Sequence, residues 1–159
     1  MEVGASRAPA DSERYLMPSR DPHASGEPTD LPALSGGHLL AKISTSIVAI
    51  MREHYGRGPM RAKTYVLDDI IVCVLRGNGF TPLEQTMMDD DGADRVVAMR
   101  HEFQRIIAGR YTQVIEEITG RKVLAFLSQT HVDPDITMEM FVIDEPLQGF
   151  GSIEVTRPE

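Results

Sequence analysis

The chain has a single cysteine, Cys73, so no intrachain disulfide can form and a reducing compartment is expected. It has no apolar stretch approaching the roughly 18 to 20 residues that span a bilayer. The longest pure run, Ile70 to Leu75, is far shorter, so direct membrane insertion is not expected. A secretory signal is missing too: Met1 to Ala10 mixes Glu2, Arg7 and Pro9 among small residues, without a basic start or an apolar centre. These absences together predict a cytoplasmic protein. Positive charge is in deficit, with 16 Lys and Arg against 24 Asp and Glu and a formal net charge of -8. Such a surface repels polyanions and argues against nucleic acid as a partner. No Gly-x-Ser-x-Gly, Cys-x-x-Cys, His-Glu-x-x-His, Walker loop or strand-linked Gly-x-Gly-x-x-Gly occurs, so the common enzyme signatures are absent.

What is present fits one domain with a modest core: 159 residues, 42% hydrophobic and 25% charged. Five of the ten prolines lie before residue 34 among Ser, Gly, Asp and Glu. Residues 1–34 therefore carry too little apolar surface to offset ordering and are expected to be a mobile tail. The domain is expected over 35–144, with a loose tail over 145–159.

From His38 to Tyr55, apolar groups fall at Leu40, Ile43, Ile47 and Ile50, with His54 extending the seam. This stepping by three and four predicts a helix, which Gly56 and Gly58 end. Residues 60–67 and 70–76 read as two strands joined by Asp68-Asp69, the second an unbroken apolar run that suggests burial on both faces. Thr81-Pro82-Leu83-Glu84 carries a capping box with proline at the first helical position. The acidic stretch Asp89 to Asp91 with Gly92 breaks that helix. A long helix then runs from Ala93 to a stop at Gly120, and Val96, Met99, Phe103, Ile106, Ile107, Tyr111, Val114, Ile115 and Ile118 are expected to keep one of its faces buried. At about 40 Å this helix exceeds a small domain, so it is expected to bend at Gly109 or to pack on a partner. Val123 to Ser128 and Ile136 to Ile143 read as a hairpin turned by Asp133-Pro134-Asp135. The fold class is therefore α+β: an antiparallel sheet with helices on one face.

Candidate chemistry is sparse. Cys73 sits mid-strand among apolar neighbours, which favours a buried structural thiol over a nucleophile. His131 and Asp133 have the spacing with which one strand offers two metal ligands, and His54 or His101 would have to complete the set. The same Asp-Pro-Asp is sufficient as turn chemistry, and no metal or other cofactor is predicted. Asp89 to Asp94 lacks the alternating ligands of a calcium loop, and its twelfth position is Arg100. Gly56-Arg57-Gly58-Pro59 can form a small backbone nest beside a guanidinium, with Lys63 near enough to add charge, or can serve only as a helix-to-strand turn. Arg95, Arg100, Arg105 and Arg110 recur every five residues, scatter around a helix, and make no nucleic-acid stripe.

Tyr55-Gly56-Arg57-Gly58-Pro59, Ala62-Lys63-Thr64-Tyr65, Asp68-Asp69, Leu75-Arg76-Gly77, Thr81-Pro82-Leu83-Glu84, Phe103, Thr119-Gly120-Arg121 and Phe126 through Asp135 occur in that order. In this combination the run from Leu39 to Ile143 resembles the bacterial family named after MpsC, a component of a Na+-translocating membrane-potential-generating system. The resemblance implies a cytoplasmic accessory domain linked to membrane ion translocation or inorganic-carbon uptake, with no catalytic residues to carry over.

The expected function is thus a non-enzymatic accessory or regulatory domain acting through protein contacts, homodimeric, with a membrane transporter subunit as the second partner. One alternative is a small-anion or nucleotide sensor using Gly56, Arg57, Gly58 and Lys63. Another is a metal-dependent enzyme at His131 and Asp133. Asp68, Asp69, His131, Asp133 and Asp135 are the further candidates for a functional surface.

Overall fold

The computed structural model describes residues 36–150. Residues 1–35 and 151–159, which hold the whole of the first expected tail and most of the second, lie outside the described residues.

Helix α1 spans Gly36–Tyr55 and buries Ile43, Ile47 and Ile50 of the seam read from the sequence together with Met51, while Leu40 is half-buried. His54 stays exposed and sets its ring edge-on to Phe103 at 5.6 Å. Gly56 ends the helix at φ +69°, where a side chain would be strained, and its N–H bonds to the Arg52 carbonyl at 3.0 Å.

Strands β1 (Arg61–Leu67) and β2 (Ile70–Arg76) form a hairpin whose two-residue turn holds Asp68 at φ 58°. Helix α2 (Pro82–Asp89) has the complete capping box: Thr81 accepts from the Glu84 N–H, and the Glu84 carboxylate accepts from the Thr81 N–H. Helix α3 runs unbroken from Ala93 to Thr119, through the exposed Gly109, and stops at Gly120 in the left-handed conformation. Strand β3 (Val123–His131) outruns the sequence reading by three residues, and β4 (Ile136–Ile143) returns after a cis Asp133-Pro134 bond. The sheet order is β1-β2-β4-β3, antiparallel throughout. The fold is α+β.

The helices lie on one face of this sheet. Helix α1 covers β1 and touches β2, α3 covers β3 and packs on α1, and α2 packs on α3. Helix α3 has 27 residues, about 40 Å, whereas a nine-residue strand is about 30 Å. Helix α2 packs on α3, α3 is unbroken at Gly109, and Ile106 and Met99 of α3 remain 72% and 45% exposed. The core is Ile43, Ile47, Ile71, Leu75, Ile115, Phe141 and their neighbours. Phe126 stacks between Tyr111 at 5.3 Å and Phe141 at 5.0 Å, each such pair adding about 0.5–1.5 kcal/mol beyond burial. Within the segment expected to be loose after Asp144, Leu147 is buried and the Phe150 ring packs on the core beside Gly36.

Strand alternation assigns the two sheet faces. Ile71, Cys73, Leu75, Thr137, Glu139, Phe141 and Ile143 are buried against the helices. Their alternates, including Tyr65, Leu67, Val72, Val74, Met138, Met140 and Leu127, point the other way and are half-buried or exposed. The unbroken apolar run of β2 is therefore fully covered on one side only.

Between α2 and α3 the chain passes through Gly92, where a Cβ would meet the Met87 carbonyl oxygen at 2.3 Å. Backbone cannot move aside as a flexible side chain does. Gly92→Ala is expected to destabilise the domain by about 1–3 kcal/mol, measured by urea unfolding; an unchanged midpoint would show that the junction yields freely.

Candidate functional site

The Gly-Arg-Gly-Pro turn after α1 and the Asp-Pro-Asp hairpin turn between β3 and β4 are far apart in sequence. The order β1-β2-β4 brings both to the same end of the sheet. Met60 N–H bonds to the Arg76 and Gly77 carbonyls at 3.0 and 2.9 Å, and Gly77 N–H bonds to the Asp135 carbonyl at 3.0 Å. The link from β2 to α2, Gly77 to Thr81, is thereby gripped from several sides. Gly79 N–H donates to the Asp135 carboxylate at 2.8 Å, Asn78 donates its side-chain amide to the Gly58 carbonyl at 3.2 Å, and Arg57 Nη1 donates to the Phe80 carbonyl at 2.6 Å.

Around this link lies a cleft of about 530 Å3. Arg57, Asn78, Gln85, Asp89, Asp133 and Asp135 supply its polar lining, with Phe80, Met88 and Val132 as the apolar part. Three carboxylates thus face one guanidinium, and that guanidinium is already engaged by a backbone carbonyl. The cleft is a negatively lined recess on a tightly bonded frame.

The other sequence candidates fall elsewhere. Gly56 commits its N–H to the helix end, and Gly58 lies close against α1, where a Cβ would meet the Arg52 side chain at 2.9 Å. Lys63 lies on the sheet face away from the helices, its ammonium 4.8 Å from the Tyr65 ring centre, and does not join Arg57. Asp68 and Asp69 turn the β1–β2 hairpin at the opposite end of the sheet. His131 Nδ1 is 2.9 Å from the Pro134 carbonyl oxygen, within its own turn. Among the described residues, no group of three or more His, Cys, Asp or Glu is placed to hold a metal ion.

Behind the cleft is a buried pair that the sequence did not disclose. Arg100, 2% exposed, directs Nε at Glu84 Oε1 (2.6 Å) and Nη2 at Glu84 Oε2 (2.8 Å) and at the Gly79 carbonyl (2.5 Å). Its guanidinium lies between the Tyr55 and Phe80 rings, at 4.6 and 4.5 Å from their centres. Burial works to raise the Glu84 carboxyl, but Arg100 and the Thr81 N–H outweigh it and hold the group below the usual carboxylate range. The neighbouring residues Gly79 and Phe80 are each held by an arginine, one reaching from α3 and one from the end of α1.

A second buried group lies one turn further along α3. Gln104 donates to Glu139 at 3.1 Å, while Glu139 Oε2, Gln104 Oε1 and the hydroxyls of Tyr55 and Tyr111 have no hydrogen-bond partner among the described residues. Burial pushes the Glu139 carboxyl up to about 8, with Ser128 and Arg100 partly offsetting it. Burial also pushes the Cys73 thiol up to about 11, so it is protonated at neutral pH and a poor nucleophile. Gln104 and Ser128 reach the wall of a hollow of about 710 Å3 along β3. The only sequence signal for this pair was the alternation of β4, which could not say which of its two faces turns inward.

Among the described residues, no helix is long and apolar enough to cross a membrane. No solved structure matches the chain. A Bacillus subtilis (strain 168) protein described as "Uncharacterized protein YrhF" is 24% identical over 99 residues, covering 62% of this chain and 81% of that protein. The family model described as "Na+-translocating membrane potential-generating system (MpsC)" matches residues 35–145, from the start of α1 past the end of β4. The chain belongs to the MpsC family, and through it is associated with a Na+ membrane potential system.

Proposed function

We propose that the protein is a non-enzymatic cytoplasmic accessory module that docks on a membrane subunit through the cleft at the Arg57–Asp135 end of the sheet. The observation that carries this reading is the lining of that cleft: Asp89, Asp133 and Asp135 around a rigid frame, with their one cationic neighbour, Arg57, bonded to Phe80. Cytoplasmic loops of membrane proteins carry an excess of Lys and Arg. A recess rimmed by carboxylates accepts such side chains, and a frame ordered in advance spares the ordering cost of binding.

The anion-sensor alternative draws less support, because an anion entering the cleft meets three carboxylates and only the engaged Arg57, with Lys63 on another face. The metal-enzyme alternative draws less support, because among the described residues His131 and Asp133 belong to no group of three or more His, Cys, Asp or Glu placed to hold a metal ion.

The test is affinity purification of the tagged chain from its own cells in mild detergent, followed by mass spectrometry, beside an Asp89→Lys/Asp133→Lys variant. The expected result is a multi-spanning membrane protein recovered with the native chain and depleted at least tenfold with the variant. Equal recovery with both, or no membrane protein with either, would remove the cleft as the docking site. The recovered complex should also weaken as salt rises.

A further inference from the structure

We propose that the sheet face left uncovered by the helices is closed by the same face of a second copy, laid antiparallel. In this arrangement the basic end of each sheet meets the Asp68-Asp69 turn of the other.

On this face Tyr65 and Leu67 of edge strand β1, Leu127 of edge strand β3 and Met138 of β4 remain 39%, 44%, 53% and 39% exposed. Val72 and Val74, beside them on the central strand β2, are only half covered although that strand has the sequence of one buried on both sides. Apolar surface this continuous on a single chain marks a contact surface.

Strand register gives this face the rows Leu67/Ile70/Val142/Ala125, Tyr65/Val72/Met140/Leu127, Lys63/Val74/Met138/Gln129 and Arg61/Arg76/Ile136/His131. No carboxylate occurs in any row, in a chain of formal net charge -8. Arg61, Arg76 and Lys63 gather at one end, where Asp135 of the β3–β4 turn lines a recess beside Arg61 and Arg76 with its carboxylate taken by the Gly79 N–H, and Asp68-Asp69 closes the other. None of Arg61, Arg76, Lys63, Asp68 and Asp69 enters an ion pair among the described residues. The face is therefore polarised along its strands.

Two two-fold arrangements stack such faces. An axis along the strands brings like ends together, so the two basic ends meet across a sheet-to-sheet gap of about 10 Å. An axis across the strands brings each basic end to the partner's acidic turn, and electrostatic complementarity selects it. Strands of seven residues on a four-stranded sheet present about 23 by 19 Å. Two copies then cover about 900 Å2 in plan, and side-chain relief raises this past the ~1,000 Å2 that specific interfaces need. Aligned sheet packing of this kind is the ordinary geometry of a sandwich core.

Sedimentation equilibrium of the full chain tests the proposal. The native mass is expected to be twice 17.6 kDa. Arg61→Glu/Arg76→Glu and Asp68→Lys/Asp69→Lys should each halve it, and the four changes combined should restore it, because only the antiparallel arrangement then pairs opposite charges. Leu127→Glu should halve it irrespective of salt, and circular dichroism confirms that each variant folds. A native mass of one chain overturns the proposal and leaves the face to residues 1–34 or to a different protein. A dimer that survives both Leu127→Glu and the charge reversals overturns the choice of face. A combined variant that remains monomeric overturns the antiparallel arrangement. None of these outcomes depends on recovery of a membrane protein, so the docking reading stands or falls separately.

Discussion

Arg100→Ala is expected to cost the domain about 3–5 kcal/mol, the usual penalty for removing one partner of a buried ion pair. For a domain of this size that corresponds to roughly 10–20 °C in Tm. The magnitude follows from what the side chain holds. Its loss leaves the Glu84 carboxylate buried with Thr81 as its remaining donor, leaves the Gly79 carbonyl without the guanidinium, and opens a gap between the Tyr55 and Phe80 rings. Replacing both partners, as in Arg100→Met/Glu84→Leu, should cost less than Arg100→Ala alone, since no charge is then stranded. A double-mutant cycle by urea unfolding measures this. A loss below about 1 kcal/mol for Arg100→Ala would mean that the pair is solvated in solution. The pH dependence has a definite sign. The folded Glu84 carboxyl lies below its unfolded value, so the pair's contribution is present above the usual carboxylate range and is lost as pH falls through the folded value.

Glu139→Gln should act in the opposite direction. The folded carboxyl titrates at about 8, whereas an unfolded Glu titrates near 4.3. The native state therefore holds a proton that the unfolded chain releases, and native stability falls as pH rises from about 4.3 to about 8 and is level above. A shift of this size corresponds to a loss on the order of 3–5 kcal/mol across that window. Glutamine keeps the shape and a hydrogen-bonding end for Gln104 but cannot ionise, so the variant should lose this slope and be more stable than the native chain at pH 8.5. Urea midpoints at pH 5.5 and pH 8.5 for both proteins decide it. Parallel slopes would show that Glu139 is already ionised in the native state at the lower pH.

The elements were legible because their signals are local. The three-and-four stepping of α1, the capping box at Thr81, the Gly120 stop and the two hairpin turns each fit within a few residues, and the structure has them all. The site was legible in parts. Arg57, Asp133 and Asp135 were singled out one motif at a time, but their meeting depends on β4 pairing with β2, which is a long-range event. Lys63 was grouped with Arg57 on sequence proximity, and strand alternation sends it to the other face. Arg100 and Glu139 were missed for a different reason. Charge reads as solvent-facing unless its partner is known, and Glu84 is sixteen residues from Arg100 while Gln104 is thirty-five from Glu139. In β4 the buried set is the one containing the carboxylate, contrary to what hydrophobicity alone would choose between two apolar faces.

The double duty of Glu84 also bears on how the molecule breathes. An eight-residue helix such as α2 is too short to persist alone in water, and its first turn depends on a carboxylate that is simultaneously clamped by α3. Fraying that turn therefore requires withdrawing a charge from Arg100. The Thr81 amide should accordingly exchange its hydrogen for deuterium on the same slow timescale as the amides around Arg100 in the middle of α3, making one opening unit of two helices that are separate in the chain.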